Sequence, residues 1–321
     1  MSGLFAIYRK ELADYFSSYR FVILFALIAM VSFITSYMAG ISLRESLAQD
    51  PKGSRFLFLM LFSTTGARFS MIQFVAFFGP LMGLFLGFDA INRERAQGTL
   101  VKVVSQPIYR DAVINGKFLA GATVITVMIV AVVLVITGFG LTLLGVVPEV
   151  EEILRLAVYV LISIFYVSFW LGVSILFSIL FRSTATSALA SVAAWILFSF
   201  VIFFGASAVA NAVAPIDKNE PNLEAVMTNF KITEWVSVSS PMVLYLNSTA
   251  TIIDPGANTT NELAQALRGP WEQILSARFQ SPLPLGQSLI VVIPYVISLV
   301  AITLICFAVS YIVFMVQEIR M

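Results

Sequence analysis

The sequence predicts an all-α polytopic membrane protein with six transmembrane helices, an N-terminal amphipathic helix and a large extracellular loop. The chain has 321 residues, of which 59% are hydrophobic and 12% are charged. Soluble domains contain about 45–50% apolar and about 25% charged residues. The extra apolar residues form long runs, and a run of about 20 residues is needed to cross the hydrocarbon core of a membrane. Such runs, separated by polar segments, indicate repeated membrane crossing.

The residue counts exclude several kinds of functional site. The chain contains no histidine, so histidine-based catalysis and histidine metal ligands are excluded. The one cysteine, Cys306, lies in an apolar run, which leaves no disulfide framework and no thiolate metal site. A net charge of +1 gives no reason to expect a nucleic-acid partner. The many polar residues before Phe21 argue against a cleavable signal peptide.

Residues 1–20 are predicted to form an amphipathic helix in the membrane interface. Its apolar and aromatic side chains recur every three or four residues, at Phe5, Tyr8, Leu12, Tyr15, Phe16 and Tyr19. Charged residues occupy the other side of the helix, so it is expected to lie flat with the aromatic rings toward lipid. A helix that simply continues into the first span remains an alternative.

Six apolar runs follow, and each is long enough to cross the bilayer. Residues 21–211 contain the first five spans, and residues 286–321 contain the sixth span and a short tail. The predicted spans are Phe21–Leu43, Ser70–Ile91, Phe118–Val147, Ile153–Phe181, Ser187–Asn211 and Gly286–Val316.

The distribution of lysine and arginine favours a cell (inner or plasma) membrane protein with both termini in the cytoplasm. This orientation places the basic segment 88–117 inside and the long segment 212–285, in which basic residues are sparse, outside. It also places segment 44–69 outside, although that segment carries four basic residues, Arg44, Lys52, Arg55 and Arg68.

The segment 212–285 is predicted to be an extracellular loop that forms a cap. Prolines divide it into short pieces, of which 222–236 and 260–279 have the pattern of short helices. The segment is too apolar for a free linker, so it is expected to pack over the outer mouth or lie on the bilayer.

The spans carry almost no ionisable residues away from their ends. Charges at mid-bilayer are costly and usually serve ion or proton pathways, so their absence argues against a proton- or sodium-coupled carrier. A membrane protease or transferase would likewise need carboxylates or a Ser–Lys pair in the spans. The sequence has no G-x-x-x-x-G-K-[ST] motif, so energy for transport is expected to come from another subunit.

The second span carries a ridge of glycines four residues apart, at Gly79, Gly83 and Gly87. Such a ridge favours close packing against another helix. Pro80 lies beside it and is expected to bend the helix.

The fifth span carries a polar stripe formed by Ser187, Ser191, Trp195 and Ser199, which continues the four-residue spacing from Ser183. Serines in membrane helices often bond their own backbone or a neighbouring helix. The alternative is a weakly polar wall of a translocation pathway at the seam between two copies of the chain.

The polar segment 92–117 between the second and third spans is predicted to be a cytoplasmic coupling loop that docks on a partner protein. Gly98 can release the backbone from helical geometry, and Thr99 can cap a second short helix that Pro107 ends. A short helix lying between two spans suits the transfer of force from a partner. An ordinary charged cytoplasmic loop is the alternative.

Several pieces of the chain together resemble the permease subunits of ABC-2 type transporters, in the group of NosY-like permeases. The matching pieces are Tyr8-Arg9-Lys10-Glu11-Leu12, Phe88-Asp89-Ala90-Ile91, Glu94 with Gly98-Thr99-Leu100, Pro107, Arg110, Gly116-Lys117, and Ser240-Pro241 with Leu244-Tyr245. The loop 212–285 is longer than the plain family pattern.

The resemblance implies six spans, an elbow helix at the N-terminus, and a second permease copy or paralogue. It also implies separate ABC ATPase subunits that bind ATP and Mg²⁺, with no cofactor in this chain and no catalytic or metal site. The loop after the second span would then carry a coupling helix over 94–106. The contacts expected with the ATPase are Glu94, Arg95, Gly98, Thr99, Lys102 and, from the next inner turn, Arg182.

The expected function is that of a permease in an ATP-driven exporter of an amphipathic or lipid-like substrate. An alternative is a mechanotransmitter, in which the spans act on an extracytoplasmic partner through the loop 212–285. A stand-alone secondary carrier is disfavoured because the spans lack ionisable residues.

Overall fold

The computed structural model describes residues 2–49, 56, 58–63, 70–98, 109–145, 147–216, 223–254 and 284–316. Within these residues the regular elements are all helical, and six helices are long and apolar enough to span a membrane. They are Phe21–Ile41, Met71–Ala96, Arg110–Thr142, Val150–Leu180, Thr184–Val213 and Leu285–Val316. The prediction of an all-α protein with six spans is therefore confirmed.

The helices are numbered here in chain order. The first five are α1 (Ser2–Ser17), α2 (Tyr19–Gln49), α3 (Met60–Ser63), α4 (Met71–Gly87) and α5 (Asn92–Ala96). The next four are α6 (Arg110–Phe139), α7 (Val150–Leu180), α8 (Thr184–Ile196) and α9 (Ile202–Val213). The last three are α10 (Leu223–Ser237), α11 (Pro241–Ile253) and α12 (Leu285–Val316). Wider π-helical turns extend α6 over Gly140–Leu144 and join α8 to α9 over Leu197–Val201.

Helix α7 lies at the centre of the bundle. It packs against α4, α6, α8, α11 and α12, and its Tyr159, Tyr166 and Trp170 are completely buried. The α2, α8–α9 and α12 spans lie at the periphery, with less than a fifth of their apolar stretches buried. Their exposed side chains are large and apolar, as expected for surfaces that face lipid or another subunit.

The glycine ridge of α4 lies directly on α7. A Cβ atom at Gly83 would lie 2.5 Å from the backbone oxygen of Val167, and one at Gly87 would lie 2.9 Å from that of Leu171. At Gly79 the nearest atom would be a side-chain carbon of Val167, at 2.9 Å. The missing side chains therefore allow the two helix backbones to approach closely.

The segment after the fifth span contains two helices that are bent by 107° relative to each other. Helix α10 corresponds to the helix expected over 222–236, whereas the helix expected over 260–279 lies outside the described residues. Asn229 Nδ2 ties α10 to the end of α9 by donating to Asn211 Oδ1 at 2.9 Å and to the carbonyl oxygen of Ala214 at 2.8 Å.

Helix α11 lies inside the bundle, which corrects the expectation that this part of 212–285 covers the outer mouth or lies on the bilayer. The hydroxyls of Tyr245 and Ser163 are 3.0 Å apart, and the rings of Tyr245 and Tyr166 stack with centroids 4.4 Å apart. Ser163 is about 20 Å along α7 from its first residue at the helical rise of 1.5 Å per residue. Nine of the thirteen α11 side chains are buried, which is why this short apolar helix enters the bundle.

Candidate functional site

The amphipathic helix α1 lies across the beginning of α6. A Cβ atom at Gly116 would lie 2.8 Å from Cγ2 of Ile7 and 3.3 Å from the backbone nitrogen of Tyr8, so glycine permits this approach. The hydroxyl of Tyr8 lies 3.1 Å from that of Thr123, and the hydroxyl of Tyr15 donates to the carbonyl oxygen of Leu86 at 2.9 Å. Helix α1 is thus held against both α6 and the end of α4.

Only part of the aromatic side of α1 faces outward. Phe5 and Phe16 are exposed, as expected for a helix in the membrane interface, and so is Tyr19, which is the first residue of α2. Ile7 and Glu11 instead face the protein and are buried. The helix therefore has one apolar surface suited to lipid and another that faces the protein and includes the charged Glu11.

A group of four charges, three buried and one exposed, joins α1, α5 and α6 and is called here the charged junction. It consists of Lys10 and Glu11 from α1, Glu94 from α5 and Lys117 from α6. Lys117 Nζ donates to Glu11 Oε1 at 2.9 Å and lies 3.0 Å from Glu94 Oε1, with only 3% of its side chain exposed. Lys10 Nζ lies 3.1 Å from Glu11 Oε1 and 3.4 Å from Glu94 Oε1.

The two ammonium groups and two carboxylates of the charged junction have no net charge, which reduces the cost of placing them in a buried site. Burial by itself would raise the pKa of Glu11, but the ammonium groups of Lys117 and Lys10 outweigh it and lower the pKa below 4.5. Burial would lower the pKa of Lys10, and the neighbouring carboxylates of Glu11 and Glu94 outweigh it and raise that pKa. The charged forms of both residues are therefore the stable ones at neutral pH.

This pKa shift predicts an acid-sensitive contribution to stability. A carboxyl group whose pKa is lowered by folding stabilises the native state above its unfolded pKa, and the contribution is lost as the pH falls through the folded pKa. We expect Glu11→Gln to lower Tm at neutral pH, and the difference from the wild type to shrink below pH 4.5. Thermal unfolding of the purified protein in detergent at several pH values tests this, and a difference that stays constant to about pH 3 would contradict it.

Helix α5 is anchored to the end of α7. Ser178 Oγ accepts hydrogen bonds from the backbone nitrogens of Ile91, at 3.0 Å, and Asn92, at 3.2 Å. One turn later, Arg95 Nη1 donates to the carbonyl oxygen of Ile179 at 3.1 Å. These contacts fix the orientation of α5, so that Glu94 points into the charged junction and Arg93 points outward.

The outward side of α5 and the turn after α7 form a basic surface, called here the basic face. It is formed by exposed Arg93 and Arg182 and by the partly exposed Arg95. Gly98 follows with φ of 65°, a left-handed conformation that glycine adopts without strain. Thr99 and Lys102, with the rest of the expected helix over 94–106, lie outside the described residues.

Glu94 has a different position from the one expected for a contact with the ATPase. Its side chain is buried, because α5 turns this face toward Lys117 rather than toward solvent. A direct contact with a partner would require the charged junction to open. Arg95, Gly98 and Arg182 are accessible, and their role as contacts remains a prediction.

The polar stripe of the fifth span faces the interior of the single chain. Ser187, Ser191 and Ser199 are completely buried, and Ser191 Oγ donates to the carbonyl oxygen of Ser187 at 2.8 Å. The hydroxyl of Ser191 lies 3.4 Å from that of Ser174 on α7, and the ring of Trp195 packs edge-on against Phe200. The three serine hydroxyls therefore face other helices of the same chain, and their part in a pathway or in a seam between two copies stays a prediction.

A second ion pair, between buried Arg155 and partly exposed Glu151, lies at the opposite end of α7 and is called here the distal clasp. Arg155 is completely buried, and its Nε and Nη2 donate to Glu151 Oε1 at 3.2 and 2.9 Å. Its Nη1 donates to the carbonyl oxygen of Ile252 at 3.0 Å and to Ser288 Oγ at 3.3 Å. Glu151 Oε1 also accepts from the backbone nitrogen of Leu285 at 3.1 Å. The distal clasp therefore joins α7 to the end of α11 and the beginning of α12.

The convergence of these charges cannot be read from the sequence pattern. Glu11, Glu94 and Lys117 belong to three separate polar segments, and nothing in their spacing shows that the segments meet. The third span was expected to begin at Phe118, whereas α6 begins at Arg110, so Lys117 lies inside a helix where a buried lysine needs a partner. One signal was present in the sequence, because Arg155 lies inside the expected fourth span with Glu151 four residues before it.

Comparison with known proteins gives two findings. The family model described as "ABC-2 family transporter protein" matches residues 5–319 of the chain. The chain is also 27% identical over 257 residues to a protein of Pseudomonas aeruginosa named "Probable ABC transporter permease protein NosY". That match covers 76% of this chain and 80% of the relative. The family match thus extends over α1, α5 and α6, the three helices that meet at the charged junction.

Proposed function

Because the chain belongs to the ABC-2 family of transporter proteins, we propose that it is the permease of an ATP-driven exporter whose separate ATPase docks on the basic face. The α5 end of the bundle then faces the cytoplasm, together with the N-terminus. The observation that carries this proposal is the position of the basic face. It lies directly beside a charged junction that connects α5 to α1 and α6.

The chemistry of the basic face supports a protein partner with an acidic docking surface. Arg95 is held in place by its hydrogen bond to Ile179, so little side-chain entropy is lost when it is bound. Arg182 lies near it on the turn between α7 and α8 and adds a second positive charge. Complementary charge increases the rate of association and fixes the orientation of the docked partner.

The partner would provide the ATP chemistry. Its nucleotide-binding sites would hold ATP and Mg²⁺, since this sequence lacks the glycine-rich phosphate-binding motif. Two ATPase subunits acting on two permease chains, identical or paralogous, would close on ATP and displace the segment that begins with α5. Helices α4 and α6, which flank this segment, would transmit the displacement through the membrane.

The expected substrate is amphipathic or lipid-like, because the spans are apolar and carry few charges. The buried face of α7 carries hydroxyl, phenol and indole groups along much of its length, at Tyr159, Ser163, Tyr166, Trp170, Ser174 and Ser178. Neighbouring helices cover these groups, so a polar headgroup would reach them only after the helices move apart. The peripheral spans have large exposed apolar faces, which lipid and a second permease copy would cover.

Charge reversal tests the docking proposal. We expect Arg95→Glu with Arg182→Glu to weaken binding of the ATPase that co-purifies with the chain by about tenfold or more, because like charges would then face each other. Arg44→Glu makes the same change at an exposed site near the end of α2 and should leave binding unchanged. Titration of the two purified proteins in nanodiscs measures the effect, and unchanged affinity in the double variant would reject the basic face as the docking site.

A second measurement tests export. The complex is reconstituted in inverted vesicles that contain labelled lipids, and ATP-dependent movement of label across the bilayer is followed. Export predicts movement from the cytoplasmic to the outer side and stimulation of ATP hydrolysis by the transported lipid. Hydrolysis without movement of any lipid, together with cross-linking of 212–285 to a soluble protein, would instead favour the mechanotransmitter.

A further inference from the structure

Lys117 has an unusual position for a lysine near the start of a membrane-spanning helix. It lies about 10 Å along α6 from Arg110 at the helical rise of 1.5 Å per residue, and only 3% of its side chain is exposed. Burying an ammonium group costs several kcal/mol unless it is paired and hydrogen-bonded. The pairs it makes come from two other elements, Glu11 of α1 and Glu94 of α5.

Lys117 is the buried partner that both carboxylates share, whereas the exposed Lys10 pairs with them at the longer distances of 3.1 and 3.4 Å. Nζ of Lys117 lies 2.9 Å from Glu11 Oε1 and 3.0 Å from Glu94 Oε1. Charge-assisted hydrogen bonds of this length weaken steeply when they are stretched. A shift of α5 by even about 1 Å would therefore either break the contact with Glu94 or pull Lys117 along with it.

We propose that Lys117 is the positioning residue through which α5 controls the placement of α6 and α1. The inference rests on the proposed function, since it assumes that the partner ATPase moves α5. The backbone hydrogen bonds to Ser178 and the bond from Arg95 to Ile179 connect α5 to α7. Lys117 connects the same helix to α6 and, through Glu11, to α1. One displacement thus reaches three helices.

The local packing supports this assignment. Gly116 allows α1 to approach α6 at Ile7, which brings Glu11 within reach of the neighbouring Lys117. Lys10 partly covers the group from the outside, with 54% of its side chain exposed. An apolar cluster would hold these helices together at lower desolvation cost, whereas a buried ion pair specifies one relative position. Coupling between α5 and the other two helices requires such a fixed relative position.

The test uses the full complex of permease and ATPase in nanodiscs. Spin labels at exposed Ala13 on α1 and Ser183 after α7 report the distance between the two helices with and without ATP. Lys117→Met keeps a long, unbranched side chain but removes its charge. We expect this variant to bind the ATPase with an affinity within about twofold of that of the wild type. The ATP-dependent change in distance, and the stimulation of hydrolysis by substrate, should be lost.

A substitution that keeps the charge separates positioning from folding. Lys117→Arg should restore a large part of the distance change, because it retains the positive charge that pairs with Glu11 and Glu94. Asp14→Asn is the control, since Asp14 is exposed and lies 3.7 Å from Lys10 at the edge of the group. It should retain the full change.

The outcomes are distinct. A Lys117→Met complex that shows the full ATP-dependent distance change overturns the inference. If that variant does not fold, Glu94→Gln decides the question. It keeps the contact between Lys117 and Glu11 and removes only the negative charge of Glu94. A full distance change in Glu94→Gln also overturns the inference. Absence of ATPase binding by the wild-type chain would instead reject the proposed function.

Discussion

Arg155→Met is expected to cause the largest loss of stability among single substitutions considered for this protein. The substitution removes a completely buried guanidinium that connects Glu151, Ile252 and Ser288. Breaking a buried ion pair by removing one partner costs about 3–5 kcal/mol, and the partial exposure of Glu151 places the expected loss at the lower end of that range. The end of α11 and the beginning of α12 should therefore loosen, with a lower midpoint in chemical denaturation and faster hydrogen exchange over α11.

Two comparison variants make this prediction specific. Arg9→Met removes an exposed arginine from α1 and should leave the midpoint nearly unchanged. Arg155→Met combined with Glu151→Leu should cost less than the sum of the two single changes, because no buried charge is then left without its partner. Equal midpoints for Arg155→Met and Arg9→Met would show that the distal clasp does not stabilise the bundle.

Gly83→Ala is expected to push α4 away from α7. The new Cβ atom would lie 2.5 Å from the backbone oxygen of Val167 and 2.8 Å from the backbone nitrogen of Leu171, and neither atom can move without displacing α7. Overpacking of this kind costs about 1–3 kcal/mol or more. Gly79→Ala should cost less, because its nearest neighbour is a side-chain carbon of Val167, which can move.

Gly138→Ala provides the matched control for Gly83→Ala. Both glycines lie in apolar spans, but no described atom lies within 4 Å of a Cβ atom at Gly138. Since alanine is favoured over glycine in a helix by about 1 kcal/mol, this change should be neutral or slightly stabilising. Thermal unfolding in detergent ranks the three variants, and a Tm for Gly83→Ala equal to that for Gly138→Ala would refute the close approach of α4 and α7.

Three of the pieces of sequence that carry the family resemblance acquire a physical reason from the structure. Glu11, Glu94 and Lys117 are one ion cluster, although 106 positions separate Glu11 from Lys117. Gly116 belongs to the same arrangement because it admits α1. The distal clasp and the charged junction lie near opposite ends of the bundle, so each end is held by a buried ion pair.

The amino-acid pattern was sufficient for the features that depend on one segment at a time. The length and apolarity of a run decide whether a helix can cross a membrane, so six spans followed directly, although the third begins at Arg110 rather than at the expected Phe118. The glycine spacing in α4 likewise showed a smooth helix face before its neighbour was known. The release of the backbone at Gly98 followed from the freedom of glycine at positive φ.

Only the tertiary structure decided which polar groups meet. The apolar pattern of α11 is compatible with a cap, a surface helix or a helix inside the bundle, and packing of Tyr245 against Ser163 and Tyr166 selected the last. Glutamate is a residue type that usually lies at the surface, and the burial of Glu94 depends on Lys117 from a distant segment. The local pattern along a helix determines whether the helix can span a membrane, whereas the pairing of charges depends on how several helices pack in three dimensions.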